Sequence, residues 1–221
     1  MTDLILLLSI IFLLLISELI IKSTYKKYSI QETNLSLTGR DIAENMLRAN
    51  DVNNVSIGYV QGSLTDHYNS KTKMINLAKA SCGDNTVAAV AVAAHEVGHA
   101  IQDKNHYFML VIRKILGPIC VISSKFVWVA IVLGVLFQHV GLIELGLILM
   151  GVTVLFEFVT LPVEFNASKR AVTYLNTLGY DDETMRAIKK MLKAAAFTYI
   201  ASSLAALLQM IRMILRLKND D

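Results

Sequence analysis

Residues Ala88–Gln102 read AAVAVAAHEVGHAIQ, and the rest of the chain is best read outward from them. Ala and Val dominate, and neither Gly nor Pro interrupts before Gly98, so the stretch predicts a single helix. His95 and His99 are four positions apart and leave the same helical face. Glu96 lies on the neighbouring face. H-E-x-x-H on a helix offers two imidazoles to a zinc ion and a carboxylate placed to activate water. A chance match in a polar helix is the plain alternative, and the apolar flank argues against it. Burying such groups unpaired costs about 1–3 kcal/mol or more each, so three of them on a largely apolar helix need a reason.

Composition sets the setting of that helix. The 221 residues are 54% hydrophobic, and the mean hydropathy of +0.51 exceeds that of an ordinary soluble domain. Membrane helices with one small soluble part are predicted. The net charge is only +3, and no dense basic patch with interleaved aromatics points to nucleic acid. Cys82 and Cys120 are far apart and outside any C-x-x-C, which reads as two free thiols in a reducing compartment.

Leu4 to Ile21 is an apolar run long enough to span a bilayer. Asp3 stands where a signal peptide would carry positive charge, and no small-residue cleavage site comes after it, so the run reads as an anchor. Lys22, Lys26 and Lys27 come next, which by the positive-inside rule makes the adjoining segment cytoplasmic; Glu18 reaches the interface. Thr38 to Asn50 predicts an amphipathic helix, with Thr38 and Asp41 as a capping box and Ile42, Met46 and Leu47 as its buried stripe. Val55–Val60 and Lys73–Leu77 read as strands separated by the turn-rich GSLTDHYNSKT. A strand beside the motif helix would offer an edge to an extended peptide. Asp66, His67 and Tyr68 read as loop residues that hydrogen-bond locally, and Asp84 or Asn85 as the cap of the motif helix.

Beyond Asp103, a segment with Arg113 and Lys114 reads as lying along the membrane surface. Pro118 opens a span to about Phe137, Gln138–Gly141 forms a turn without Lys or Arg, and Leu142–Leu161 returns. This hairpin begins and ends on one side, so the segment after Pro162 shares a compartment with His95 and His99. There LPVEFNASKR opens a helix that stops near Gly179, a good C-cap. Asp181 and Asp182 start another, and Ala194–Ile211 is apolar again. Arg212, Arg216 and Lys218 beyond it argue against an outside C-terminus.

A catalytic zinc takes three protein ligands and a water, so the motif needs a third. A histidine six residues beyond it is excluded by Gln102 and Asn105, and His106 would require the helix to end and turn back. A glutamate from a separate helix is the other solution, with Glu144, Glu157 and Glu164 as candidates. Glu144 lies toward the outer end of the hairpin, Glu157 inside the span, and Glu164 just past it on the side of the histidines.

AAHEVGHAIQ together with LPVEFNASKRA resembles the bacterial YugP-like neutral zinc metallopeptidases, membrane proteins distantly similar to HtpX-like and CAAX-prenyl proteases. GSLTDHYNSKTKMINL resembles the segment those proteins carry before their zinc helix, and the likeness covers nearly the whole chain. It implies His95 and His99 as ligands of one Zn2+, Glu96 as catalytic base and Glu164 as third ligand. The wider HtpX-like pattern has Glu-x-x-Ala-Asp at the second element, where Glu164-Phe165-Asn166-Ala167-Ser168 has Ser168 in place of the aspartate. That aspartate would orient a ligand histidine, and Asn166 and Ser168 are the nearest substitutes. Arg170, Tyr174 and His67 are candidates for the further donor that a tetrahedral oxyanion needs.

The expectation is thus a mainly α integral membrane protein of gluzincin type with a small β-hairpin or sheet. It forms one metallopeptidase domain over 1–221: anchor 4–21, soluble part 22–117, transmembrane hairpin 118–161, glutamate helix and the helix after it 162–193, and C-terminal membrane helix 194–217. The expected activity is a zinc-dependent endopeptidase acting on membrane or juxtamembrane proteins, in the bacterial cytoplasmic membrane with its site on the cytoplasmic face. Its partners are a protein or peptide substrate, the lipid bilayer and a membrane-protein partner or second copy, but no nucleic acid. A zinc-binding scaffold without proteolysis is the rival, against which the intact Glu96 weighs. A small transporter would explain Lys125, Glu144 and Glu157 in apolar runs but not the motif.

Overall fold

The structure, a computed structural model, describes residues 2–220; the first and last positions of the expected 1–221 domain lie outside them. The element order is α1 (Thr2–Tyr28), α2 (Gly39–Ala49), β1 (Ser56–Val60), β2 (His67–Asn69), β3 (Met74–Ala78), α3 (Lys79–Gly83), α4 (Val87–Lys104), α5 (Phe108–Leu136), α6 (Val140–Leu175) and α7 (Asp182–Asp220). The protein is mainly helical with one small sheet. It divides into two compact units, one of residues 19–107 and 163–197, the other of the stretch ending at Glu18, Phe108–Pro162 and the stretch from Thr198 onward.

In the first unit the motif helix, α4, is central, with nearly every residue from Val87 to Asp103 buried. A helix apolar on all sides is stable only when covered on all sides. Ile42 and Met46 of α2, Ile75 and Leu77 of β3, and Leu175 of α6 are fully buried in the same core, each contributing roughly 1.5–3 kcal/mol. Thr38 caps α2 and forms the predicted capping box with Asp41. The hydrogen bonds from Thr38 hold the Asp41 carboxyl below its usual range.

The sheet differs from the simple pair of strands expected. A third strand, β2, lies in the stretch expected to be turn, and the order is β1-β3-β2. The two strands read from sequence pair in parallel, and the antiparallel hairpin is β2 with β3. Three residues are too short for hydrophobic alternation to mark a strand. The cap of α4 is Thr86, not Asp84 or Asn85. Thr86 has extended backbone and its hydroxyl accepts from the Ala89 N–H, as an N-cap side chain does for N3.

α4 and α6 approach most closely at Gly98. A Cβ at Gly98 would stand 2.6 Å from the Ala167 carbonyl oxygen. Only hydrogen fits there, and the two backbones approach more closely than side chains would allow.

The second unit holds apolar helix. The helices α1, α5, α6 and α7 are long and apolar enough to cross a membrane, and Leu4, Leu8, Phe12 and Leu15 on α1 are exposed. Pro118 and Pro162, helix openings by sequence, each lie inside a continuous helix, α5 and α6 respectively. An internal proline removes one hydrogen bond but is tolerated in apolar helices whose neighbours compensate. Glu164 therefore sits mid-helix. Likewise 182–193 and 194–217 are parts of one helix, α7. Ile131 of α5 and Gly146 of α6 pack so closely that a Cβ on the glycine would clash with the Ile131 side chain. Asp3 accepts hydrogen bonds from Arg212 at 2.8 Å and Arg216 at 2.5 Å, which joins the start of α1 to the end of α7.

Gly98→Ala is expected to overpack the α4–α6 contact and lower stability by about 1–3 kcal/mol, read as a fall in Tm of the detergent-purified protein. An unchanged Tm would mean that α6 moves aside freely.

Candidate metal centre

Both histidines come from α4 and the third group from α6. His95, His99 and Glu164 each offer a ligand atom within 4.8 Å of the others. The Nε2 of His95 is 3.2 Å, and that of His99 3.4 Å, from Glu164 Oε2. Two ligands at tetrahedral positions about 2.0–2.1 Å from an ion stand about 3.3 Å apart. The rings are nearly perpendicular, with centroids 4.8 Å apart, and Glu164 is 2% exposed. Glu144 and Glu157, the other glutamates weighed, belong to the other unit. His106 is exposed in a left-handed turn after α4, outside this cluster.

The far side of each ring is held as well. His95 Nδ1 lies 3.1 Å from the Ser168 hydroxyl, the position where the wider pattern has aspartate. His99 Nδ1 lies 3.0 Å from Gln102 Oε1. Gln102 is fully buried and donates from Nε2 to the Val163 carbonyl at 2.7 Å and to Asn166 Oδ1 at 3.0 Å. Asn166 Oδ1 also accepts from Arg170 Nε at 2.8 Å.

This chain of bonds has a direction. The Val163 carbonyl only accepts and Arg170 only donates, so the Gln102 amide nitrogen must face Val163 and its oxygen must face His99. The His99 proton then sits on Nδ1, and a neutral His99 turns the lone pair of Nε2 toward the Glu164 oxygen. Two acceptors facing one another at 3.4 Å need a proton or a metal ion between them. Two imidazoles and a carboxylate are the donor set of a catalytic zinc site, so the residues fit that ion. Glu96 is 7% exposed, and no hydrogen bond or ion pair engages its carboxylate among the described residues.

Of the other residues singled out in the sequence, His67 is exposed on β2, its ring bonded to the Thr65 carbonyl and Asn76. Arg170 and Tyr174 line a cavity of about 540 Å³ together with Asn166 and Lys169. Asp66 accepts from the Ala78 N–H. Tyr68 is not a locally bonded loop residue: its hydroxyl donates to Asp103 at 2.7 Å, near the end of α4, and Lys73 reaches the same oxygen at 2.6 Å. Burial, and then the Asp103 carboxylate, push the Tyr68 hydroxyl well above its usual range, so it remains a donor. An acid near a helix C-terminus is unfavourable, and these two donors hold it there.

In the sequence Gln102 registers only as a missing histidine. Its position three residues after His99, on the same helical face, is the available signal of its role. Nothing in the sequence marks Asp103 as the partner of Tyr68 and Lys73.

Residues 3–218 match the profile of a family described as "Putative neutral zinc metallopeptidase". The chain is 35% identical over 200 residues to a Bacillus subtilis (strain 168) protein named "Putative membrane protease YugP", covering 90% of this chain and 89% of that protein. No solved structure matches. With a family profile and a relative that both span nearly its whole length, and a donor set suited to zinc in its buried core, this chain belongs to that family of neutral zinc metallopeptidases.

Proposed function

We propose that the chain is a membrane endopeptidase of gluzincin type that uses one zinc ion to hydrolyse peptide bonds of membrane or juxtamembrane proteins, and that it works as one metallopeptidase domain. The observation that carries this reading is the buried His95–His99–Glu164 donor set with the unpartnered carboxylate of Glu96 next to His95 in the chain. A bound zinc ion supplies Lewis-acid polarisation of the carbonyl and a more acidic water. Glu96 accepts the proton of the attacking water and passes it to the leaving amine as the C–N bond breaks. Gln102 fixes the tautomer of His99, and Ser168 steadies His95 as the missing aspartate would. Arg170 acts at a distance, by orienting Asn166.

At 1.5 Å per residue, the 36 residues of α6 extend about 54 Å, against roughly 30 Å of bilayer hydrocarbon. A span over Leu142–Leu161 leaves Glu164 just outside it. Lys22, Lys26 and Lys27 support a cytoplasmic position for the unit they enter. The Asp3–Arg212–Arg216 cluster supports the start of α1 and the end of α7 on one side, hence four crossings in the bacterial cytoplasmic membrane. The arginines that argue against an outer C-terminus are offset in part by Asp3.

Glu96→Gln is expected to retain zinc while losing about 10²–10⁴-fold in cleavage of an unstructured test protein or membrane extract, and His95→Ala to lose the metal. Zinc analysis alongside proteolysis separates the two, and a zinc-loaded Glu96→Gln as active as wild type would defeat the mechanism. Cleavage by neither protein, both zinc-loaded, would favour the scaffold. Gln102→Ala is expected to weaken zinc binding about 10–100-fold in chelator competition. Unaltered affinity would remove Gln102 from the centre.

A further inference from the structure

A second feature of the motif-bearing unit is a groove of about 580 Å³ between the last turns of α1 and the early turns of α7. Lys27 of α1 and Lys190 and Lys193 of α7 line it. No carboxylate pairs with any of the three among the described residues; the Lys27 ammonium instead lies 5.4 Å from the centre of the Tyr28 ring. The walls change character along the groove. Ile20 and Phe197 line it too, at the positions where the two helices pass into the apolar stretches Leu4–Ile21 and Ala194–Ile211. Lys27 is seven residues after Ile20 and Lys190 seven before Phe197, about 10 Å of helix in each case. Charge thus gathers at one end and apolar surface at the other, on the membrane side.

We infer that this groove binds an anionic phospholipid, its phosphate among Lys27, Lys190 and Lys193 and its acyl chains beside Ile20 and Phe197. A free anion would leave the apolar end unused. A diffuse basic surface would not discriminate between neighbours, yet Lys26, Arg186 and Lys189, close by on the same two helices, are not among the lining residues. Thr24, also in the lining, adds a hydroxyl near the headgroup. The ligand is therefore defined by three ammonium groups, a hydroxyl and an adjoining apolar wall.

The test is native mass spectrometry of the full chain released from nanodiscs of mixed phosphatidylglycerol and phosphatidylcholine. Wild type is expected to retain phosphatidylglycerol selectively. The triple variant K27Q/K190Q/K193Q should lose this retention by at least about tenfold, because each ammonium–phosphate contact is a charge-assisted hydrogen bond. The control K26Q/R186Q/K189Q removes the same charge from the same helices and should change retention by about threefold or less. Arginine at the three groove positions should preserve it. Equal losses in the groove and control triples would reduce the effect to net charge and overturn the proposal. So would loss in the arginine triple, or displacement of the lipid by inorganic phosphate.

Discussion

The close approach of α6 to α4 is the constraint on which the centre depends. It is made by a missing side chain at Gly98, against the Ala167 carbonyl, and by a buried amide, since Gln102 of α4 bonds the Val163 carbonyl of α6. Both lie within one helical turn of the groups they position. Val163 immediately precedes Glu164, so the bond that orients His99 also fixes the backbone that carries the carboxylate. One contact sets the position of all three donors.

Polarity in this core is organised and not merely tolerated. An unsatisfied buried polar group costs about 1–3 kcal/mol, and the unit nevertheless buries Gln102, Asp103 and Glu164. Gln102 uses both ends of its amide. Asp103 receives a tyrosine hydroxyl and a lysine ammonium from the β2–β3 hairpin, so the sheet is bonded directly to the end of the motif helix. Glu164 faces two imidazoles, and the lone pair that His99 turns toward it needs a proton or a metal ion between the two.

Much of this is legible in the sequence because the signals are local. H-E-x-x-H is a short helical pattern, the capping box at Thr38 is another, and four apolar runs announce themselves by length. Helix ends are less legible. Pro118 and Pro162 look like boundaries and are internal, because helices in an apolar setting are held by their neighbours more than by local preference. The cap at Thr86 is hidden because Asp84 and Asn85 have equal or stronger capping preference, and only backbone conformation decides among adjacent candidates. The pairing of β1 with β3, and the bond from Tyr68 to a residue 35 positions away, are tertiary facts with no local trace. So is the sharing of tasks between Ser168, which meets His95, and Asn166, which meets Gln102.

The separation of the three donors along the chain has a consequence in time. His95 and Glu164 are 69 positions apart, and all of α5 and much of α6 come between them. A ribosome releases both histidines early, but the carboxylate only after it has made one long apolar helix and most of the apolar stretch of a second. Until then, the nascent polypeptide holds two imidazoles and no third donor. A chain stalled or truncated before the second of these helices therefore lacks one of the three groups, so the order of synthesis makes the donor set complete only after both apolar helices have been made.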